Sequence, residues 1–114
     1  MASCITTFAI VALAVLALSR QSIAVPATSN PLQVAATFLD ASDCELFANR
    51  RRLLHNIEPF ASDSTDTCYE MLSSVVVTPN GNYRRQDWNA LKSFVANKNP
   101  IISNMLSVMP VSLE

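Results

Sequence analysis

Apolar residues fall along this chain in two regimes. From Ile5 to Leu18 they run nearly unbroken, with Thr6 and Thr7 the only polar interruptions, before a polar Ser19-Arg20-Gln21-Ser22 and then Ile23-Ala24. A short apolar core followed by small residues is the layout of a secretory signal peptide. Ser22 and Ala24 hold the small-residue positions, so cleavage is expected after Ala24, with Ala27 as second choice. The alternative is an uncleaved anchor, but a run of 14 residues falls short of the roughly 20 that a bilayer span needs. Residues 1–24 are therefore expected to be a leader, and the protein to be secreted.

After the leader the apolar positions recur at helical spacing. Val25 to Pro31 is polar with two prolines and reads as extended chain. Leu32, Ala35, Ala36 and Leu39 share one face of a short helix. Ser42-Asp43-Cys44-Glu45 has the form of a capping box. The helix after it is expected to run to about Ile57, to bury Leu46, Phe47, Leu53, Leu54 and Ile57, and to stop at Pro59. Thr67 and Glu70 repeat the box, ahead of Cys68, Met71, Leu72, Val75 and Val76 on one stripe. The β-branched run Val75 to Thr78 is expected to fray into extended chain. Pro79-Asn80-Gly81-Asn82, with the only glycine, predicts a turn. Trp88, Leu91, Phe94 and Val95 mark a further helix. Asn99-Pro100 supplies an N-cap and a first-turn proline for the last one, which is expected to bury Ile101 or Ile102, Met105, Leu106 and Met109 and to end before Pro110.

No stretch alternates with period two. The pattern predicts an all-α fold, a small bundle of four to five short helices. Residues 25–41 form an N-terminal segment with a short helix, and 42–114 the helical domain. A two-stranded hairpin about Asn80-Gly81 is the main alternative, because Asn-Gly favours such turns.

Size and sulfur change this picture. Removing the leader leaves 90 residues, Val25 to Glu114, close to the size at which a hydrophobic core alone is marginal. Cys4 departs with the leader, so Cys44 and Cys68 remain, and in an oxidising compartment two cysteines read as one disulfide. Two free buried thiols are the alternative. Closing that loop stabilises the fold by roughly 3 kcal/mol in the chain-entropy model. The charge matters less. Without Arg20 the mature chain carries 7 basic and 9 acidic residues, which favours neither nucleic acid nor an anionic membrane as a target. There is no Asn-x-Ser/Thr acceptor for glycosylation.

Candidate chemistry is sparse. The single histidine, His55, sits beside Leu53 and Leu54, and nothing in the spacing sets a serine or carboxylate against it, so a structural histidine is expected. Zinc needs more close-spaced ligands than this chain offers, and one glycine cannot build a phosphate cradle. Glu58 with Asp63, or Asp63 with Asp66, are explained as helix ends and caps. No enzyme and no cofactor is expected. Arg50-Arg51-Arg52 is the one basic cluster and reads first as a solvated helix face, with Leu53 and Leu54 pointing inward. Met71, Met105 and Met109, with Tyr69, Tyr83 and Trp88, suit either an apolar ligand site or an ordinary core.

The stretch Phe60-Ala61-Ser62-Asp63-Ser64-Thr65-Asp66-Thr67-Cys68-Tyr69-Glu70-Met71-Leu72 resembles the elicitins, small secreted helical proteins of oomycetes, at the start of one of their helices. The likeness extends through Leu53-Leu54 upstream and through Pro79 and Tyr83 downstream. Asn99 to Pro110 is similar to the family's helix that ends in Leu-Asn-Pro-Pro, and a competing register sets Asn89 to Pro100 there instead. The family has six cysteines where this chain has two; Asp63 stands at a family cysteine and Cys68 at a family glycine. The resemblance implies a non-enzymatic extracellular protein that binds a sterol or other lipid and elicits plant defence. By position it implies Tyr69, Met71, Leu72 and Tyr83 as ligand-binding residues. A reading of a different class is a host-translocated effector that acts by binding a host protein. Arg51-Arg52-Leu53-Leu54 is similar to a degenerate Arg-x-Leu-Arg targeting motif, with Glu58, Asp63 and Asp66 downstream. An insect-type seminal or salivary protein would share only the leader.

Overall fold

The computed structural model describes residues 30–114; the expected leader, its cleavage site and the start of the extended segment lie outside them. Five helices follow one another: α1 (Pro31–Thr37), α2 (Ala41–Leu54), α3 (Cys68–Val76), α4 (Arg85–Lys98) and α5 (Pro100–Val108). The fold is all-α, stapled by one disulfide between Cys44 and Cys68, whose Cα atoms are 5.3 Å apart. α3 is central and packs against α1, α2 and α4, while α4 and α5 pack as a pair. Leu32, Leu72, Val76, Trp88, Leu91 and Leu106 form the heart of one shared core, so α1 is part of the same packed body as the helices after it.

The helix starts follow from their caps. The Asn30 side chain accepts from the Gln33 amide and Pro31 opens α1. Thr67 and Glu70 make a complete capping box on α3. Asn99 accepts from Ile102 N–H ahead of Pro100. Each satisfies an amide that has no partner within the helix. At α2 the expected box at Ser42 and Glu45 does not form, and a single N-cap two residues earlier takes its place. Asp40 is the N-cap and accepts from the Asp43 amide at 2.8 Å, while the Ser42 hydroxyl donates to the same carboxylate. The Asp43 amide, and after it the Ser42 hydroxyl, hold the Asp40 carboxyl below its ordinary value.

The end of α2 also departs from expectation. The helix stops at Leu54, three residues before Ile57. Asn56 takes a left-handed conformation with φ 59°; its amide donates to Leu53 O at 3.1 Å, and the Ile57 amide donates to Arg52 O at 2.8 Å. These two bonds are the pair that closes a helix through a left-handed residue, a place where asparagine serves when glycine is absent. Asn56 ends α2 before Pro59 can act.

The larger correction concerns the face that α2 buries. Cys44, Phe47 and Ala48 are buried. Leu46, Leu53, Leu54 and Ile57, expected inside, are 45%, 60%, 67% and 39% exposed. The side that carries Cys44, Ala48 and Arg51 faces inward and the leucines face water. At α5 the ambiguity resolves to Ile102, with Ile101 exposed.

Between α3 and α4 only the end of the β-branched run leaves the helix: Val75 and Val76 stay in α3, and Val77 is extended. Val77 pairs antiparallel with Tyr83 across the turn, and Tyr83 pairs in parallel with Leu113. Gly81 holds φ 85°, a conformation glycine adopts without strain. The hairpin alternative thus survives only as a single bridge. Tyr83 packs edge-on against Trp88 with ring centroids 5.1 Å apart, which ties this corner to the core.

Candidate functional site

Asp87 is the one charged residue in the buried set among the described residues. It lies in the first turn of α4, where a carboxylate is favoured by the exposed amides. Across from it, one helical turn apart, stand Arg51 on α2 and His55, the residue that follows its last turn. Arg51 Nε donates to Asp87 Oδ1 at 2.6 Å. His55 Nε2 lies 3.1 Å from Oδ1 and 2.9 Å from Oδ2. A carboxylate removed from water is tolerated when paired and hydrogen-bonded, and this one is both. The Asp87 side chain is 1% exposed, against 18% for Arg51 and 33% for His55, so the cluster opens to solvent on the histidine side.

Two shallow clefts border His55. One of about 350 Å³ is lined by His55, Arg84, Arg85, Gln86, Asp87 and Glu114. The other, about 260 Å³, is lined by His55, Ile57, Ser74, Val75 and Arg84. Ser74 in the second cleft donates its hydroxyl to Met71 O at 2.7 Å, and His55 Nε2 is engaged by a carboxylate that Arg51 also holds. Among the described residues no three His, Cys, Asp or Glu side chains cluster as metal ligands would, and no described helix is long and apolar enough to cross a membrane.

The cluster sets the outer surface. Because Arg51 and His55 turn toward Asp87 while Cys44 is tied to Cys68, α2 has one available rotation, and it points Leu46, Arg50 and Leu53 outward. The three arginines have different fates. Arg51 is paired with Asp87. Arg52 Nε donates to Glu58 O at 2.8 Å and its guanidinium lies 4.1 Å from the centre of the Phe60 ring. Arg50 is exposed and enters no ion pair among the described residues.

The residues singled out from the sequence divide into three groups. Met71 and Leu72 are packed in the core at 5% and 0% exposure. Tyr69 and Tyr83 meet at Asn30: Asn30 Nδ2 donates to the Tyr69 hydroxyl at 3.4 Å, and the Tyr83 hydroxyl lies 3.5 Å from Asn30 Oδ1 while accepting from the Leu32 amide at 3.1 Å. Burial pushes the Tyr83 hydroxyl above its ordinary 10.0, with nearby Tyr69 adding to it against the Leu32 bond. Within the Arg51-Arg52-Leu53-Leu54 segment both arginines are engaged inside the fold and both leucines, expected inward, are exposed. Asp87 is absent from the candidates that the sequence offers, and its partnership with His55 corrects the expectation of no carboxylate there. Arg51 and His55 are visible in the sequence as a same-face pair one turn apart, but an aspartate 36 residues from Arg51 reads locally as a first-turn acid and nothing more.

No family model, curated protein or solved structure matches this chain.

Proposed function

We propose that this is a secreted, non-enzymatic recognition protein whose partner is another protein, met at the surface of the bundle. One contrast carries the reading. The apolar side chains that a small ligand would use, Met71 and Leu72, are packed at 5% and 0% exposure, whereas one helix turns three leucines to water. Large apolar side chains grouped on a surface mark interaction sites. Export rests on the leader pattern of residues 1–24 and fits the disulfide. The host-protein binder with a degenerate targeting motif is the reading closest to this one.

The test is photo-crosslinking of the mature, oxidised protein in the tissue it is secreted into. Leu53, Asn89 and Ile101, all exposed, are replaced one at a time by a benzophenone amino acid. A discrete protein adduct from at least one position is expected. No adduct from any of the three would remove the reading.

A second reading has its own support. The Tyr69 and Tyr83 hydroxyls converge on Asn30 at the edge of the core, a polar handle beside apolar interior of the kind that orients a lipid with one hydroxyl. This is the elicitin-like function, sterol or lipid binding with elicitation of plant defence, and it requires the core around Met71 to open. Displacement of a fluorescent sterol from the mature protein at micromolar concentration would support it; no displacement would end it.

A further inference from the structure

We infer that Leu46, Arg50, Leu53 and Leu54 on α2 form a docking strip for an amphipathic helix of a partner protein, one that sets an acidic side chain between two aliphatic anchors. The inference rests on the protein-binding reading above and names the partner's chemistry. Leu46, Arg50 and Leu53 follow one another at four and then three residues, so they form a line along the helix opposite the buried Cys44 and Ala48 and the inward-turned Arg51. Leu46 and Leu53 stand two turns apart, about 10.5 Å along the axis. That separation matches anchors two turns apart on a helix laid against this one.

Charge selects the occupant. Arg51 and Arg52 are engaged within the fold, so Arg50, midway between the leucines, is the free cation of the strip. A carboxylate on the partner satisfies it; a lysine or arginine there is repelled. A second copy of this chain is disfavoured by the same residue. A two-fold pairing of the strip with itself sets Arg50 against Arg50, whichever way the helices run. A lipid surface is disfavoured by number: anionic headgroups attract a basic side chain by only about 1 kcal/mol, and this surface offers one free arginine with Glu45 on the same helix and Glu58 just past its end. The strip is also set firmly, because the disulfide and the Asp87 pairing fix the rotation of α2.

The experiment uses the mature oxidised protein against a displayed library of amphipathic helices of roughly four turns. Each carries leucine or isoleucine two turns apart and a randomised residue between them. Aspartate and glutamate are expected to be enriched at that residue over lysine and arginine by about tenfold, the size of one modest charge interaction. Arg50→Glu should reverse the preference, and Leu53→Asp should abolish enrichment while the protein still melts cooperatively, far above the reduced protein. No acidic preference, or enrichment that persists in Leu53→Asp, overturns the inference. So does binding to phosphatidylserine–phosphatidylcholine vesicles, or dimerisation in sedimentation, that is lost in Leu53→Asp. A crosslink from position 89 or 101 with none from position 53 would sink the strip and leave the protein-binding reading standing.

Discussion

Asp87 shows how one side chain sets the surface some distance away. Its carboxylate is buried by the packing of α4 on α2, and Arg51 and His55 turn inward to meet it. Breaking such a pair from one side leaves a charge without compensation, whereas removing both sides together is often close to neutral. Asp87→Asn is therefore expected to destabilise the protein by roughly 3 kcal/mol in urea unfolding, at the lower end for a broken buried pair because Arg51 keeps some water. The double change Asp87→Leu with Arg51→Met should cost less than Asp87→Asn alone; a larger cost would mean that the pair is a net stabiliser. Tyr83 supports a second test. Its hydroxyl is held above 10.0 in the folded protein, so the unfolded chain loses its proton first as the solution becomes alkaline. Its contribution is whole below pH 10 and falls as pH rises from there toward the folded value. Tyr83→Phe should flatten that alkaline decline in a series of denaturation curves, at the cost of the Leu32 hydrogen bond at every pH.

At the scale of elements, the capping residues largely decide where helices begin and, at α2, where one ends. Thr67 with Glu70 and Asn99 with Pro100 are legible in the sequence, because capping is a local interaction between residues close along the chain. The end of α2 departs from the sequence expectation for an equally local reason: Pro59 is the stronger stop by residue type, but Asn56 takes the left-handed position first. Asn56→Gly should leave stability unchanged or raise it slightly, while Asn56→Ala should lower it by about 1 kcal/mol, since alanine bears the left-handed strain that glycine escapes. Thermal melts of the two variants compare them directly; equal stability would mean that the closing bonds do not depend on this residue's conformation. The rotation of α2 is a different matter. Its leucines at 46, 53 and 54 have the look of a buried stripe, and only partners outside the helix show that the opposite side goes in.

At the scale of the molecule, the disulfide joins the start of α2 to the start of α3 across an exposed loop, residues 55–67. Reducing it, or making the pair Cys44→Ser with Cys68→Ser, is expected to cost roughly 3 kcal/mol in the chain-entropy model. For a domain this small that is a large share of total stability, so the reduced protein should melt many degrees lower by circular dichroism. An unchanged melt would show that the core suffices alone. By contrast, Leu46→Asp and Leu53→Asp replace side chains that are 45% and 60% exposed and should change stability by about 1 kcal/mol, well below the disulfide's contribution. They are the variants that separate recognition from folding.

Short-range physics accounts for everything the chain reveals unaided: a helical period in each segment, the caps at Thr67 and Asn99, the turn at Gly81, the stripe of α3, and one pair of cysteines after residue 24. These depend on residues close together along the chain, or on a simple count. Which side of α2 faces the core, and that Asp87 meets Arg51 and His55, follows only from how the helices pack in three dimensions. The two helices are joined through a long stretch of chain, so no local pattern shows that the disulfide draws Cys44 inward and that Arg51 and His55 meet a carboxylate which, left unpaired in the interior, would cost several kcal/mol.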